Sequence, residues 1–225
     1  MSLRRHSSEG AGRERPAPDR MSAEDLALDA QGGCAVAFTA LVERFESPLF
    51  NFLRLRANSP EDAEELTQET FLRAWQQLGR YSSRWRFSTW LFTLGKRIAV
   101  SRYRKLRRDA FGGEPPERAD FAPDPSQLAC EREERANLWD TASRVLSVEQ
   151  RSAVWLRYAE GLSACEIGRV LARRETTVRV ILFRARERLA KGLADASSAG
   201  AARVPAPART LDFLPWQARS FAGGR

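Results

Sequence analysis

Cysteine and histidine are scarce in this sequence. Its 225 residues include three widely separated cysteines (Cys34, Cys130 and Cys165) and one histidine, His6. These residues give no zinc-ligand spacing, and an odd number of distant cysteines is typical of reduced thiols. The sequence also lacks a glycine-rich phosphate loop, a nucleophile elbow and a metalloprotease motif. We therefore expect no enzyme, with no catalytic residue, no metal and no cofactor.

Long apolar stretches are also missing. The sequence has no run of about 18 apolar residues, so we expect no membrane insertion, and its basic N-terminus lacks the apolar core of a signal peptide. Reduced thiols without an export signal favour the cytoplasm. Positive charge, in contrast, is abundant, because the net charge is +8 and the pI is about 10.2. This charge predicts an anionic partner, with nucleic acid ranked before an acidic protein or a membrane surface.

Composition divides the chain into five parts. Residues 1–30 are rich in Arg, Ser, Gly and Pro without apolar periodicity, which predicts a disordered basic tail. Residues 31–108 and 130–192 show helical periodicity and are predicted to form two small domains. Residues 109–129 contain four prolines and are typical of a linker, and residues 193–225 are typical of a flexible tail. The predicted fold class is therefore all-α, with two helical domains on a flexible linker.

An acidic helix is predicted to begin at Ser59, which is a suitable N-cap, with Pro60 in the first turn. Apolar residues and one threonine recur at helical spacing and predict its buried side: Ala63, Leu66, Thr70, Phe71, Ala74 and Leu78. The opposite side is mostly acidic, although the protein is basic, and it contains the apolar Leu72. This side suits a basic partner helix; the alternative is an ordinary solvated face.

The segment 79–87 alternates aromatic residues with arginines. Tyr81, Trp85 and Phe87 could stack on bases of single-stranded nucleic acid while the arginines bind phosphates. The alternative is that these aromatics pack back onto the core. Ser88 is predicted to cap the next helix, whose second half carries seven cations that favour a phosphate partner: Lys96, Arg97, Arg102, Arg104, Lys105, Arg107 and Arg108.

The second domain has the pattern of a helix-turn-helix. Ser147 with Gln150, and Ser163 with Glu166, are spaced as capping boxes at two helix starts. After the turn 172–175, Thr176 or Thr177 is predicted to cap a longer basic helix. A short helix, a tight turn and a basic helix are typical of DNA-binding domains. This pattern by itself is also found in classical transcription regulators.

Stretches of both domains resemble bacterial sigma factors, in particular the small two-domain class called extracytoplasmic-function (ECF) sigma factors. In the first domain, residues 62–75, 87–91 and 102–104 resemble sigma region 2. In the second domain, residues 161–163, 166–167, 177–178 and 184–189 resemble sigma region 4. The resemblance implies a bacterial transcription initiation factor that binds RNA polymerase core and recognises minus-10 and minus-35 promoter elements. Its implied partners are the beta prime clamp helices and beta subunit of the polymerase, promoter DNA and an anti-sigma factor.

The resemblance also implies roles for individual residues. The expected polymerase-binding residues are Asp62, Glu65, Gln68, Glu69 and Leu72. The expected DNA-binding residues in the first domain are Tyr81, Trp85, Phe87, Lys96, Arg97, Arg102 and Arg104. Those in the second domain are Arg173, Arg174, Thr177, Arg179, Val180, Phe183 and Arg184.

The sequence departs from the family pattern on both DNA-reading helices. Arg97 and Ser101 stand where the family usually has asparagine and an acidic residue. Val180, Ile181 and Phe183 make the second helix more apolar than usual, which suits contact with thymine methyls or with a partner protein. Two other functions are consistent with part of the pattern: a helix-turn-helix regulator with an α/β partner domain, and a sigma mimic that acts only through protein partners.

Overall fold

The computed structural model describes residues 17–109 and 138–199, and every regular element within these ranges is helical. The helices are α1 (Ala23–Gln31), α2 (Ala35–Arg54), α3 (Pro60–Gln77), α4 (Phe87–Asp109), α5 (138–145), α6 (Val148–Tyr158), α7 (Ala164–Leu171) and α8 (Glu175–Ala199). Short 3-10 turns span Pro18–Arg20 and Leu78–Arg80. Helices α1–α4 form an amino-terminal domain and helices α5–α8 a carboxy-terminal domain. For these residues the predicted all-helical fold is confirmed.

The core of the amino-terminal domain lies between α2, α3 and α4. Helix α2 contributes an apolar stripe with the predicted helical spacing. Helix α3 buries five of the six residues predicted for its inner side, and the sixth, Leu78, is buried in the 3-10 turn that follows. Phe52 and Phe92 meet edge to face, with ring centroids 5.2 Å apart. Helix α2 continues through Pro48, because buried neighbours on both sides keep the segment helical.

Helix α1 corrects the predicted disordered tail. Ser22 Oγ accepts a hydrogen bond from the Asp25 amide at 3.0 Å and caps the helix. Leu26 and Ala27 are fully buried and Ala30 nearly so, all within the main core. Packing of this small apolar set against α2 stabilises a helix that would be too short to persist alone. Residues 1–16 of the predicted tail lie outside the described residues.

Two predicted helix starts are displaced. Helix α4 begins at Phe87, so Ser88 lies inside its first turn instead of capping it. The Phe87 amide donates instead to Glu24 Oε1 of α1 at 2.9 Å. Helix α8 begins at Glu175, so neither predicted threonine caps it. The α3 cap is confirmed, since Ser59 Oγ accepts from the Asp62 amide at 3.1 Å.

The carboxy-terminal domain contains the predicted helix-turn-helix in α7 and α8. Both predicted capping boxes are present, at the starts of α6 and α7. The turn is tight: a Cβ on Gly168 would lie 2.6 Å from the Arg173 carbonyl oxygen, so only glycine fits there. Ala172 ends α7 in the left-handed region with φ 55°, a conformation that usually favours glycine. Its use here shows that the packing of α7 on α8 fixes this turn.

The other predicted boundaries are tested only in part. Helix α8 continues to Ala199, seven residues beyond the predicted end of the second domain at residue 192. The predicted linker 109–129 lies outside the described residues except at its first position, and so does the tail from residue 200 onwards. Helix α4 reaches Asp109, which is the first residue of that predicted linker.

Candidate polymerase and nucleic-acid interfaces

The predicted polymerase-binding residues share one side of α3, which we call the α3 face (Asp62, Glu65, Gln68, Glu69 and Leu72). Leu72 lies on it with 58% of its surface exposed. Asp62 is the least exposed member, because its carboxylate accepts a hydrogen bond from the Asn58 amide at 3.1 Å. Glu69 Oε1 lies 3.6 Å from Arg73 Nη2, one helical turn along. The structure thus brings the five predicted residues together on an acidic surface around an exposed leucine.

Trp75 extends this surface and was not predicted. It lies three residues after Leu72, and 44% of its surface is exposed. Its ring centroid is 4.9 Å from that of Phe38 on α2, so its position is fixed by packing. The i, i+3 spacing from Leu72 is the signal in the sequence that could have revealed it.

Arg102 joins the α3 face to the predicted DNA-binding helix α4. Its Nε lies 3.2 Å from Asp62 Oδ1, and its Nη2 pairs with Glu65. The Glu65 hydrogen bond, opposed by partial burial and supported by the Asp62 charge, raises the pKa of Arg102. Arg102, a predicted DNA contact, is therefore ion-paired with Asp62 and Glu65, which are predicted polymerase contacts. Arg102 is less available to phosphate here than the exposed Arg97 and Arg104.

The three predicted base-stacking aromatics have different surroundings. Tyr81 is 5% exposed and Phe87 is fully buried, and their rings meet edge to face at 5.6 Å. For these two residues the structure favours the alternative, packing onto the core, because Phe45 and Trp90 complete an aromatic cluster around them. Trp85 alone lies at the surface, half-buried. It is flanked by exposed Arg84 and Arg86, as the alternating pattern predicts.

The predicted DNA-binding residues of the carboxy-terminal domain are all exposed: Arg173, Arg174, Thr177, Arg179, Val180, Phe183 and Arg184. They lie on the turn and on the side of α8 opposite to its buried residues Val178, Leu182 and Ala185. Phe183, 60% exposed, and Val180, 47% exposed, stand near the middle of that outer side. Its centre is therefore apolar and its edges are cationic.

Two of these arginines already have acidic partners. Arg173 Nε lies 2.6 Å from Glu149 Oε1, and this hydrogen bond raises the pKa of Arg173. Arg179 Nη2 lies 2.5 Å from Glu175 Oε1, one helical turn before it. Both pairs are exposed, so they contribute little to stability and can exchange for phosphate or base contacts.

The two domains contact each other, and two of the predicted DNA-binding residues, Lys96 and Trp85, take part. Lys96 Nζ donates to the Leu171 carbonyl at the end of α7, at 2.6 Å. The Arg169 guanidinium of α7 lies 4.0 Å from the centroid of the Trp85 ring. Thr89 Oγ1 donates to Glu166 Oε1 at 3.3 Å. The short helix of the helix-turn-helix thus packs on α4 and covers one side of Trp85.

A half-buried arginine adds to this contact between domains. Arg56 Nη2, just after α2, donates to Ser152 Oγ of α6 at 2.8 Å. Burial, partly offset by the Glu149 charge, lowers the pKa of Arg56 to about 10. Arg86 Nη1 reaches the Gly161 carbonyl at 3.4 Å, where positive φ reverses the chain between α6 and α7.

Within residues 17–109 and 138–199, no three His, Cys, Asp or Glu side chains are grouped so as to hold a metal ion. Over the same ranges, no helix is long and apolar enough to cross a bilayer. Cys34 and Cys165 are free thiols. A helix-turn-helix, a second helical domain with a basic helix, and a surface rich in arginine define a DNA-binding transcription protein.

Comparison with known proteins identifies its family. Residues 41–109 match Sigma-70 region 2, and residues 137–189 match Sigma-70, region 4. The ECF RNA polymerase sigma factor BldN of Streptomyces coelicolor is 32% identical over 186 residues, which cover 80% of this chain and 70% of that protein. The RNA polymerase sigma-H factor of Pseudomonas aeruginosa is 31% identical over 184 residues, 76% of this chain and 93% of that protein.

A solved structure is also similar. The structure of CnrH in complex with the cytosolic domain of CnrY matches with a TM-score of 0.54 and 26% identity, over 77% of this chain and 97% of that chain. The chain belongs to the ECF class of RNA polymerase sigma factors. It is a transcription initiation factor that directs RNA polymerase to promoters. Sigma factors are non-enzymatic, and residues 17–109 form a helical domain instead of the α/β unit expected for a classical regulator.

Proposed function

We propose that the α3 face is the surface through which this sigma factor binds the beta prime clamp helices of RNA polymerase core, with the beta subunit as a further contact. The observation that carries this proposal is a mostly acidic helix face, in a protein of net charge +8, with a leucine 58% exposed among the carboxylates. An exposed leucine beside charged residues suits a partner helix with basic and apolar side chains. Trp75 enlarges the apolar part of this surface.

The test is core binding by variants of the α3 face. Glu69→Lys combined with Leu72→Ala should prevent co-purification with core polymerase while leaving the helical circular dichroism unchanged. These two positions avoid Asp62 and Glu65, whose ion pairs with Arg102 hold α3 to α4. Glu64→Lys is the matched control, because it makes the same charge change at an exposed position on α3 outside this face. Normal co-purification of the double variant would overturn the proposal.

We further propose that promoter DNA binds along two surfaces. The loop 82–86 and α4 would read the minus-10 element, with Trp85 stacking on a base that has left the duplex and with Arg97 and Arg104 on phosphates. The outer side of α8 would lie in the major groove of the minus-35 element. The exposed positions of Arg97, Arg104 and the outer side of α8, and the half-buried position of Trp85 at the surface, support this assignment.

An anti-sigma factor and a cytoplasmic location complete the proposal. The similar structure of CnrH holds the cytosolic domain of CnrY. We propose that this chain likewise binds an anti-sigma factor, and that it acts in the bacterial cytoplasm, where core polymerase and the promoter are found. Affinity purification of the full chain from its own cells tests this, since a specific regulator should be recovered without core polymerase in the same complex.

A further inference from the structure

Helix α1 holds both ends of the loop that carries Trp85. At the first end, Gln31 Nε2 donates to the carbonyls of Leu78 at 2.7 Å and Tyr81 at 2.9 Å. At the second end, Glu24 Oε1 accepts from the Phe87 amide, the first of α4, at 2.9 Å. Two side chains of one nine-residue helix therefore fix the points where the loop leaves α3 and enters α4.

The Glu24 contact serves two purposes at the start of α4. The first amides of a helix have no partner within the helix, and the carboxylate satisfies one of them. A negative charge at this end is also favoured by the helix dipole. Since the N-terminus of α4 is where the loop ends, this contact sets the direction in which the chain leaves Trp85.

Helix α1 is itself held firmly enough to act as a support. Leu26, Ala27 and Ala30 are buried in the main core, and Ser22 caps the helix. Arg44 Nη1 of α2 donates to the Met21 carbonyl just before it, at 3.0 Å. The anchors thus rest on the body of the domain.

Within the loop, Tyr81 passes this support on to Trp85. Tyr81 Oη donates to the Trp85 carbonyl at 2.9 Å. Burial, with the nearby Glu24 charge as the smaller cause, raises the pKa of Tyr81 to about 12, so the hydroxyl remains a donor at physiological pH. Three contacts therefore fix the position of the Trp85 backbone. Gln31 holds the Tyr81 carbonyl, the Tyr81 hydroxyl bonds the Trp85 carbonyl, and Glu24 holds the Phe87 amide.

We propose that Glu24 and Gln31 are positioning residues for promoter melting, which hold the 82–86 loop so that Trp85 meets the unstacked base. Both lie outside the segment 41–109 that matches sigma region 2. They act on backbone groups, so they fix the placement of the loop and do not themselves read DNA. This inference rests on the proposed function of Trp85.

The experiment measures permanganate-reactive open complexes formed by holoenzyme on a promoter found by mapping transcript starts. Glu24→Ala removes the acceptor, and Gln31→Met removes both donors while keeping the side-chain length. Glu24→Ala should reduce open complexes about tenfold, the effect of losing one hydrogen bond to a charged group, and Gln31→Met, which loses two bonds, should reduce them at least as much. Binding to core polymerase and to closed duplex promoter should stay unchanged.

Two variants serve as controls. Glu24→Gln keeps an acceptor oxygen and should restore most of the activity, and Leu28→Ala, at an exposed position on the same helix, is the neutral control.

A double-mutant cycle with Trp85→Ala separates this inference from the function on which it rests. If Glu24 acts through the loop, Glu24→Ala should have little further effect once Trp85 is alanine. If Trp85→Ala alone leaves open complexes normal, the proposed role of the loop fails, and this inference with it. If Trp85→Ala is defective but Glu24→Ala and Gln31→Met match Leu28→Ala, only the inference fails. Loss of core binding in parallel with melting would also overturn it, by showing damage to the whole domain.

Discussion

Trp85 and Phe87 lie two residues apart, but their surroundings differ, and we expect their substitution to have different effects. Phe87 is fully buried among three aromatic rings, whereas Trp85 lies at the surface beneath an arginine. Phe87→Ala should lower the free energy of unfolding by about 3–5 kcal/mol, because it leaves a cavity in the core. Trp85→Ala should change stability little and cost about 1–3 kcal/mol of binding to melted promoter. Urea unfolding and binding to a single-stranded minus-10 oligonucleotide measure the two effects.

One result for Trp85 and Phe87 would contradict the stacking role of Trp85. If Trp85→Ala unfolds the domain as Phe87→Ala does, the whole aromatic set belongs to the core and the loop has no base to hold. Tyr81→Phe is a suitable control, since it keeps the ring in the core and removes only the hydroxyl that bonds the Trp85 carbonyl.

Glu160 is a carboxylic acid whose burial has a consequence for stability. Burial, partly opposed by the charge of Arg86, raises the pKa of Glu160 from 4.5 to about 7. The folded protein therefore binds this proton more tightly than the unfolded chain does. Stability from this group is fully present below pH 4.5 and is lost as the pH rises through about 7.

The expected pH dependence can be measured by urea unfolding at pH 5 and pH 8. Relative to Glu160→Gln, the wild-type protein should lose up to about 3 kcal/mol between these values, since one pKa unit corresponds to about 1.4 kcal/mol. The glutamine variant cancels the contributions of all other titrating groups. Equal losses in the two proteins would show that Glu160 ionises in the folded state as it does in the unfolded chain.

At the scale of elements, helix starts with local signals were predictable and supports from distant residues were not. Ser59, Ser147 and Ser163 cap their helices as predicted, because each bond joins residues three apart. Helix α4 is capped by Glu24, 63 residues earlier in the chain, which no local pattern shows. Helix α1 was missed although Ser22 and Asp25 have capping spacing, because its apolar set is short.

The candidate site shows the same division: its surface faces were predictable from local patterns, and its tertiary contacts were not. Helical periodicity placed the α3 face and the outer side of α8 correctly at the surface, since each faces away from a buried stripe. It could not decide which loop aromatics are buried, because Tyr81 and Phe87 are enclosed by rings from α2 and α4. The partners of Arg102 and Lys96 also depend on tertiary packing.

Two substitutions on helix α8 should impair DNA binding in distinguishable ways. Arg179, near the N-terminal end of the helix, is expected to contact a base, so Arg179→Ala should cost about 1–3 kcal/mol and relax preference at one position. Arg184 is expected to contact phosphate, so Arg184→Ala should weaken binding to all sequences and reduce the salt slope by about one. Titrations over single-base promoter variants at several salt concentrations measure both. Unchanged preference and affinity in Arg179→Ala would contradict the assignment of α8 as a helix that reads the major groove.

At the scale of the whole molecule, the two domains are joined by contacts that can be removed singly. Arg169→Ala deletes the guanidinium over Trp85, 4.0 Å from the ring centroid. The domains should then separate more often, which small-angle X-ray scattering would detect as a larger radius of gyration. Arg186→Ala removes an equivalent arginine over Tyr158 within the carboxy-terminal domain and is the matched control. An unchanged radius in Arg169→Ala would show that the remaining contacts between the domains suffice to hold them together.

If Lys96 contacts DNA, as the sequence predicts, its bond to the Leu171 carbonyl makes DNA recognition a competition inside one molecule. The carbonyl is tethered to the lysine, so its effective concentration does not fall when the protein is diluted. The apparent dissociation constant of any ligand that needs the lysine free equals its intrinsic value divided by the open fraction of the population, so it rises as the closed form becomes more populated. A ligand that favours the closed form must weaken promoter binding. By thermodynamic reciprocity, promoter DNA weakens the binding of that ligand by the same factor.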